Sequence, residues 1–367
     1  MEQIYPKTTQ ESEKTLFAAV NSGKGFKSFY TEIFDREEIE HRYLIKGGPG
    51  TGKSTFMRRV GKRAEEAGLS TEYYLCSSDP TSIDAVVIDG RAAIIDATSP
   101  HSVECELAGA RDKLINLGEF WNEDGLFAKK EEIKELSARK RESYRAAYRF
   151  LSAAHEVEER SRELCAVFIN KEKMQKAARR IAGRLPDGKG YSLKIGVLNS
   201  IGMKGRVRLR SYEIMAQEVY YVVDSYESGS LFLAMLLGEA QRKGNAVRVS
   251  YSPLGAAYPD AVFFEESRTA FILLKEKPQG EKYVNMRRFV QIDAERAKEV
   301  KSEYRENGRM IEALVQSATD ALEAAGKEHF ELERIYKENM DFEALGRYTE
   351  VFSDGLIKKL CSAKLKG

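Results

Sequence analysis

The 367-residue sequence predicts an α/β protein built twice over, with long helical additions. Three observations predict it. Short apolar strands alternate with amphipathic helices over residues 17–96, the pattern of a layered sandwich around a mainly parallel sheet. A weak but sustained internal repeat runs through the chain with a period of about 176 residues. Residues 128–182 contain neither proline nor glycine and are rich in Lys, Arg, Glu and Ala, which predicts a long helical excursion.

The elements follow in order. An apolar strand at 17–20 precedes a glycine turn and a helix over about 25–35. A strand at 43–46 leads through a glycine-rich loop into a helix at 53–67, which Gly68 stops. The strand TEYYLCS spans 71–77, and AVVI and AAII then flank Asp89-Gly90, a hairpin turn signal. The second copy matches in the same order. FAAVNSGKGF (17–26) falls on IGVLNSIGMKGR (195–206), and YLIK before the glycine loop falls on YYVV (220–223). Ser54-Thr55-Phe56 fall on Ser230-Leu231-Phe232, Gly68 on Gly244, and AVVIDGRAAIID (85–96) on AVFFEESRTAFIL (261–273). His155 and Glu159 fall on His329 and Glu333. The implied division is a first α/β domain at 1–127, a helical arm at 128–184 breaking near Asn170, a second α/β domain at 185–292 and a C-terminal arm at 293–367. The turn-rich GRLPDGKG (183–190) marks the boundary, and the two arms are expected to pack on each other or on a partner.

Composition narrows the class. Apolar residues make up 42%, enough for a core, and the 32% charged content suits long solvated helices. A net charge of +2 gives no whole-molecule argument for a polyanionic partner. Cys76, Cys105, Cys165 and Cys361 are widely spaced and form no CxxC pair, which excludes a zinc knuckle or dithiol motif and suits reduced, mostly buried thiols. The N-terminus is polar and acidic, unlike a signal peptide, and no apolar run approaches the roughly 20 residues that span a bilayer. A soluble, cytoplasmic protein is expected.

The most specific signal is GGPGTGKST, Gly47, Gly48, Pro49, Gly50, Thr51, Gly52, Lys53, Ser54 and Thr55, a full GxxxxGKS between a strand and a helix. Glycines let the main chain turn and approach phosphate without a Cβ clash, so its N–H groups cradle the anion. The following helix aims its positive end at the same place. Lys53 is expected on the β- and γ-phosphates, the Ser54 hydroxyl on Mg2+, and Thr55 near the α-phosphate. The fold expected is a P-loop NTPase-like three-layer sandwich, duplicated, with ATP and Mg2+ as cofactors. The metal's acidic partner should end a neighbouring strand, and Asp96 after AAII fits. Asp89 reads as a turn residue, and Asp79 and Asp84 as turn or cap residues. Thr98 and His101, in the loop beyond Asp96, are candidates to sense the γ-phosphate or orient a water. Glu119 in NLGEFW is a candidate general base. The string Asn170-Lys171-Glu172-Lys173 lacks the acid of a guanine-reading motif, which favours ATP over GTP.

The second copy has VVDSYESGSLF (222–232) at the corresponding place. Only Gly229 and Ser230 remain, no lysine maps to Lys53, and Asp224 and Glu227 would repel a triphosphate. This half is expected not to bind nucleotide in the same way.

YLIKGGPGTGKSTFMRR, CSSD (76–79), AVVIDGRAAIIDATSPH, NLGEFW and HFELERIYKENMDF (329–342) resemble a bacterial family of duplicated P-loop NTPase-like proteins described as uncharacterised ATPases. The resemblance runs over nearly the whole chain. It implies two P-loop NTPase-like domains with helical additions and ATP binding by Gly47 to Thr55, with no established substrate. The second half of the family often keeps a P-loop, which this sequence lacks; the family's Asp-Gly-Thr-x-Pro-His stands here with Ala97 for the glycine.

Further constellations carry alternatives. His155/Glu159 and His329/Glu333, each at i, i+4, could form one metal site if the arms bring them together. Residues 128–184 hold sixteen Lys or Arg against nine Glu, and Lys204, Arg206, Arg208 and Arg210 alternate along one strand face. Such faces could meet nucleic acid, although no nucleic-acid module is present. Three functions stay open: an ATPase coupling hydrolysis to arm movement, a small-molecule or nucleotide kinase with a lid drawn from Arg139, Arg141, Arg145 and Arg149, and a nucleotide-gated module that binds nucleic acid or protein.

Overall fold

The computed structural model describes residues 14–101 and 103–364; nearly all of the polar N-terminal stretch lies outside the described residues. In the first half, strands β1 (Thr15–Phe17), β2 (Ala19–Ser22) and β3 (Gly25–Ser28) precede helix α1 (Tyr30–Phe34). Strand β4 (His41–Lys46) leads into helix α2 (Lys53–Glu66), followed by β5 (Thr71–Leu75), β6 (Ile83–Ile88), β7 (Ala92–Asp96) and β8 (Asp112–Asn116). Helices α3 (Glu123–Ala128), α4 (Lys130–Ala166) and α5 (Lys171–Ala182) complete it. The second half repeats the plan. Strands β9 (Ser192–Ile195), β10 (Asn199–Gly202) and β11 (Gly205–Arg208) precede α6 (Ser211–Met215), β12 (Glu218–Val223) and α7 (Gly229–Lys243). Strands β13 (Ala246–Tyr251), β14 (Pro259–Phe264), β15 (Thr269–Leu274) and β16 (Tyr283–Asn285) then lead to α8 (Ala294–Lys337) and α9 (Phe342–Lys364).

The duplication is explicit in the pairing. The first six-stranded sheet has the order β1-β5-β6-β7-β4-β8, and the second, read from its other edge, β9-β13-β14-β15-β12-β16. In both, the β6 or β14 strand is antiparallel to its two neighbours and all other pairs are parallel. Local chemistry sets this. Asp89 and Gly90 both take positive φ, 54° and 69°, in the tight turn between β6 and β7 that Arg91 N closes by donating to Ile88 O at 3.0 Å. The helix expected over 25–35 is a correction. Gly25, at φ 89°, closes a hairpin that pairs Ala19 with Ser28, and only Tyr30–Phe34 is helical. The chain there has too few apolar positions at helical spacing and buries β2 on every residue.

One face of each sheet carries the helix that follows its glycine or serine loop: α2 lies on β6, with Phe56, Met57, Val60 and Ala64 buried, and α7 lies on β14. The opposite faces share one core. Ala261, Phe263, Ala270 and Ile272 of the second sheet lie in the same apolar cluster as Leu16, Tyr74, Ala85 and Ile95 of the first, together with Tyr30 of α1 and Tyr212 of α6. Each sheet therefore has a helix on one face, and its other face shares a core with its twin. Across this join Arg248 Nη1 donates to Glu72 Oε2 at 2.7 Å, and both side chains are about nine-tenths buried.

The arms α4 and α8 pack antiparallel. Arg160 Nη2 meets Glu303 Oε1 at 3.1 Å and Arg139 Nε meets Glu328 Oε1 at 3.9 Å, with Leu151, Val315 and Leu322 buried between. At 37 and 44 residues they are about 55 and 66 Å long, enough to cross both halves. The helices beyond them are exchanged: α5 packs on α7, and α9 packs on α2. Matching short bridges fix both exchanges. Trp121 pairs with Met340 and Val290 with Ile169, while Asn122 N donates to Asn339 O and Asn170 N to Phe289 O, each at 2.8 Å. Asn170 caps α5, its side chain accepting from Lys173 N. The contiguous spans read from sequence do not anticipate that each half lends its last helix to the other. Among the described residues no helix is long and apolar enough to cross a membrane.

Candidate functional site

The loop Gly47–Gly52 joins β4 to α2 and stands at the carboxyl edge of the first sheet. Pro49 and Gly50 form its turn, Gly50 at φ 71° and Gly52 at φ 83°, the latter serving as the left-handed cap of α2. The Thr51 hydroxyl donates to Gly48 O at 2.9 Å and holds the loop from within. Lys53 folds back over it: Nζ donates to Gly48 O at 2.8 Å and Gly47 O at 3.1 Å, and lies 3.7 Å from Asp96 Oδ2. Ser54 Oγ accepts from Ile83 N at 3.1 Å, while Thr55 is exposed. The structure thus brings Lys53 and Asp96 together beside the loop, with Ser54 one residue on.

Asp96 ends β7, next to β4, and accepts on Oδ1 from the Thr98 hydroxyl and, at 2.9 Å, from Thr98 N. Asp84 is a correction. It is no turn or cap residue but a buried member of β6, one step beyond the Ala85–Ile95 pair and therefore opposite Asp96. Burial, with Asp96 alongside, pushes its carboxyl up to about 6 against the pull of His101. His101 Nε2 lies 3.4 Å from Asp84 Oδ2, and its buried ring stacks on Tyr30 at 5.1 Å. Thr98 and His101 thus hold the two carboxylates. Glu119 is exposed on the 3₁₀ turn Leu117–Phe120; its charge reaches Tyr348 of α9, and it has no hydrogen bond or ion pair with Lys53 or Asp96 among the described residues. Asp79 binds Thr81, and Asp89 sits in its turn.

Two features escape sequence reading. The loop is roofed by the other half. A Cβ on Gly50 would sit 2.5 Å from Glu333 O of α8, and one on Gly48 would sit 2.9 Å from the Tyr336 ring, so glycine is required for the close approach. Leu345 of α9 closes over Gly52. His329 and Lys337 hold the Glu333 carboxyl down at about 2. The second feature is Lys140. Burial and the like charge of Lys53 push its ammonium below the usual lysine range, so α4 brings a second cation within electrostatic reach of Lys53. Arg141, Arg145 and Arg149 are exposed instead, and Arg139 pairs with Glu328. No pattern in the arm's many Lys and Arg singles Lys140 out.

The corresponding loop of the second half is filled from within. Asp224 Oδ1 accepts from Gly229 N at 2.7 Å, taking the amide that corresponds to that of Lys53. Burial and Glu227 push the Asp224 carboxyl up to about 6. Tyr226 and Glu227 adopt positive φ, and Glu227 accepts from Tyr304 OH at 3.0 Å. The pairing Ala261–Ile272 mirrors Ala85–Ile95, so Leu273 stands where Asp96 would. Neither Lys53 nor Asp96 has a counterpart there.

The remaining constellations resolve differently. The antiparallel register sets His155 and His329 against opposite ends of the partner arm, so the four-residue metal site does not assemble. Arg206 pairs with Glu312 and Arg208 with Glu213, which spends half of the basic strand face. All four cysteines are free, with Cys165 buried and Cys105 exposed, so the expectation of mostly buried thiols holds for one of them. No protein-family model, curated protein or solved structure matches the chain.

Proposed function

We propose that this α/β protein is a P-loop, Mg2+-dependent ATPase with one working site, in the first half, and that turnover there is coupled to the helical arms. The observation that carries the reading is the loop Gly47–Gly52 with Lys53 and Asp96 converging at 3.7 Å beside the helix start. Main-chain amides and the positive end of α2 would cradle the phosphates, Lys53 would leave its carbonyl partners for the β- and γ-oxygens, and Ser54 with Asp96 would hold Mg2+. Asp84, opposite Asp96, backs the metal side, and Lys140 adds charge where the γ-phosphate would develop it. The coupling follows from the roof. A triphosphate seated on the loop presses on the end of α8 at Glu333 and Tyr336, and α8 runs the length of α4 to the second half. The self-filled second loop supports a single site, and the family resemblance of the sequence agrees with an ATPase.

The test is phosphate release from ATP and GTP with and without Mg2+, on wild type, Lys53→Ala and Asp96→Asn. The expected result is Mg2+-dependent release that falls on the order of 10²-fold in either variant. ATP binding without release would favour the nucleotide-gated binding module, and release only with an added acceptor would favour the kinase.

A further inference from the structure

We propose that His155, Glu158 and Glu159 of α4 form a binding site for a first-row divalent cation of the Zn2+ or Mn2+ type, where the first arm meets the second half. The three residues stand at i, i+3 and i+4, on one helix face. One ligand atom from each lies within 4.8 Å of the others, and His155 Nδ1 is 3.8 Å from Glu159 Oε1. His155 is only 6% exposed, and its Nδ1 has no hydrogen-bond partner. Glu158 Oε2 and Glu159 Oε1 are likewise buried without one. Buried polar atoms are nearly always satisfied. Here three lone-pair donors turn toward one space, and no donor among the described residues satisfies them. A cation answers all three at once, and an imidazole with two carboxylates is a common ligand set for these metals.

The surroundings reinforce the reading. Glu227 from the second-half loop adds a third carboxylate, and Asp224 lies behind it. Arg162 faces all three, at 3.6 Å from Glu158 Oε2 and 3.5 Å from Glu159 Oε1 and from Glu227 Oε2, each longer than a good hydrogen bond. Its own Nε is buried without a hydrogen-bond partner. Arg162, stacked 3.9 Å over the Tyr258 ring, and Arg206, which reaches Glu158 at longer range, are two cations against the four carboxylates Glu158, Glu159, Glu227 and Asp224. The supporting shell is also present. Tyr258 OH donates to the other Glu159 oxygen, Oε2, at 2.6 Å and orients the carboxylate. Gly23 packs so close that a Cβ there would sit 2.3 Å from His155 Cβ, which pins the ring. This metal would lie beside the loop that has exchanged its lysine for Asp224 and Glu227. A site for a triphosphate in one half thus has, in the other, a neighbour suited to a positive ion. The proposal does not depend on nucleotide binding at Lys53.

The test is calorimetric titration of the chelator-treated full chain with Zn2+ and with Mn2+, without nucleotide, alongside the thermal midpoint. The expected result is one ion per chain with a raised midpoint, retained in Asp96→Asn and weakened at least about 10-fold in His155→Gln and in Glu159→Gln. Circular dichroism verifies that both variants fold. Arg162→Gln, which removes the competing charge, should bind the ion more tightly than wild type. The proposal is overturned if wild type takes up no ion, if His155→Gln and Glu159→Gln titrate as wild type does, or if Arg162→Gln loses the ion.

Discussion

The pair Glu72–Arg248 joins the two halves, and its removal has a calculable consequence. Glu72 lies on β5 and Arg248 on β13, 2.7 Å apart, with side chains 11% and 10% exposed. Two unit charges about 4 Å apart at an effective dielectric near 20 attract by about 4 kcal/mol. Burial pushes the Glu72 carboxyl up, yet Arg248 and the Tyr74 hydroxyl outweigh it and hold the group below its usual range. Glu72→Leu leaves the buried guanidinium with only Glu265, 3.8 Å from its Nε, and should cost about 3–5 kcal/mol. Arg248→Met should cost a similar amount by stranding the carboxylate. The double variant Glu72→Leu/Arg248→Met removes both desolvation penalties and should lie within about 2 kcal/mol of wild type. The assay is a double-mutant cycle from urea midpoints, which isolates the coupling between the two sites. If each single change costs under about 1 kcal/mol and the two costs simply add, the halves are not docked through this pair.

Two other outcomes follow from the geometry. Lys140→Gln should weaken Mg-ATP binding about 10-fold, or about 1.4 kcal/mol, and leave AMP binding unchanged, as titrations of both nucleotides would report; equal loss for both would place Lys140 elsewhere than the phosphates. Asp112, a fully buried carboxylate gripped by Arg42 at 2.8 and 2.9 Å and by Arg111 at 2.8 Å, is held below the usual carboxylate range by those partners despite its burial. Its folded-state affinity for protons is below the unfolded one, so its stabilisation is complete above about pH 4 and is lost as pH falls further. Asp112→Asn should lower stability at pH 7 by about 3–5 kcal/mol and flatten the acid limb of a midpoint-versus-pH curve; an unchanged limb would contradict it.

How much was legible follows from range. The β6–β7 hairpin was readable because Asp89-Gly90 and its apolar flanks lie within a dozen residues. The glycine loop was readable because its chemistry is carried by consecutive positions. The β2–β3 hairpin was missed because Gly23 and Gly25 read as a turn before a helix, while the strand partner of Phe26, Asn21, carried no apolar alternation. Asp84 was misjudged because its value comes from register with Asp96 on another strand. Lys140, Tyr336 and Glu333 were invisible because they reach the loop only through the antiparallel arms and the exchange of α5 and α9, contacts between residues some 90 to 290 positions apart. Register across such separations is set by packing, to which a local pattern is blind.

The most direct measurement of the central claim is a calorimetric titration of the full chain with ATP in the presence of Mg2+, repeated on Lys53→Ala. The account predicts one ATP per chain for wild type and no detectable heat for the variant. Two equivalent sites, or an isotherm that Lys53→Ala leaves unchanged, would contradict it.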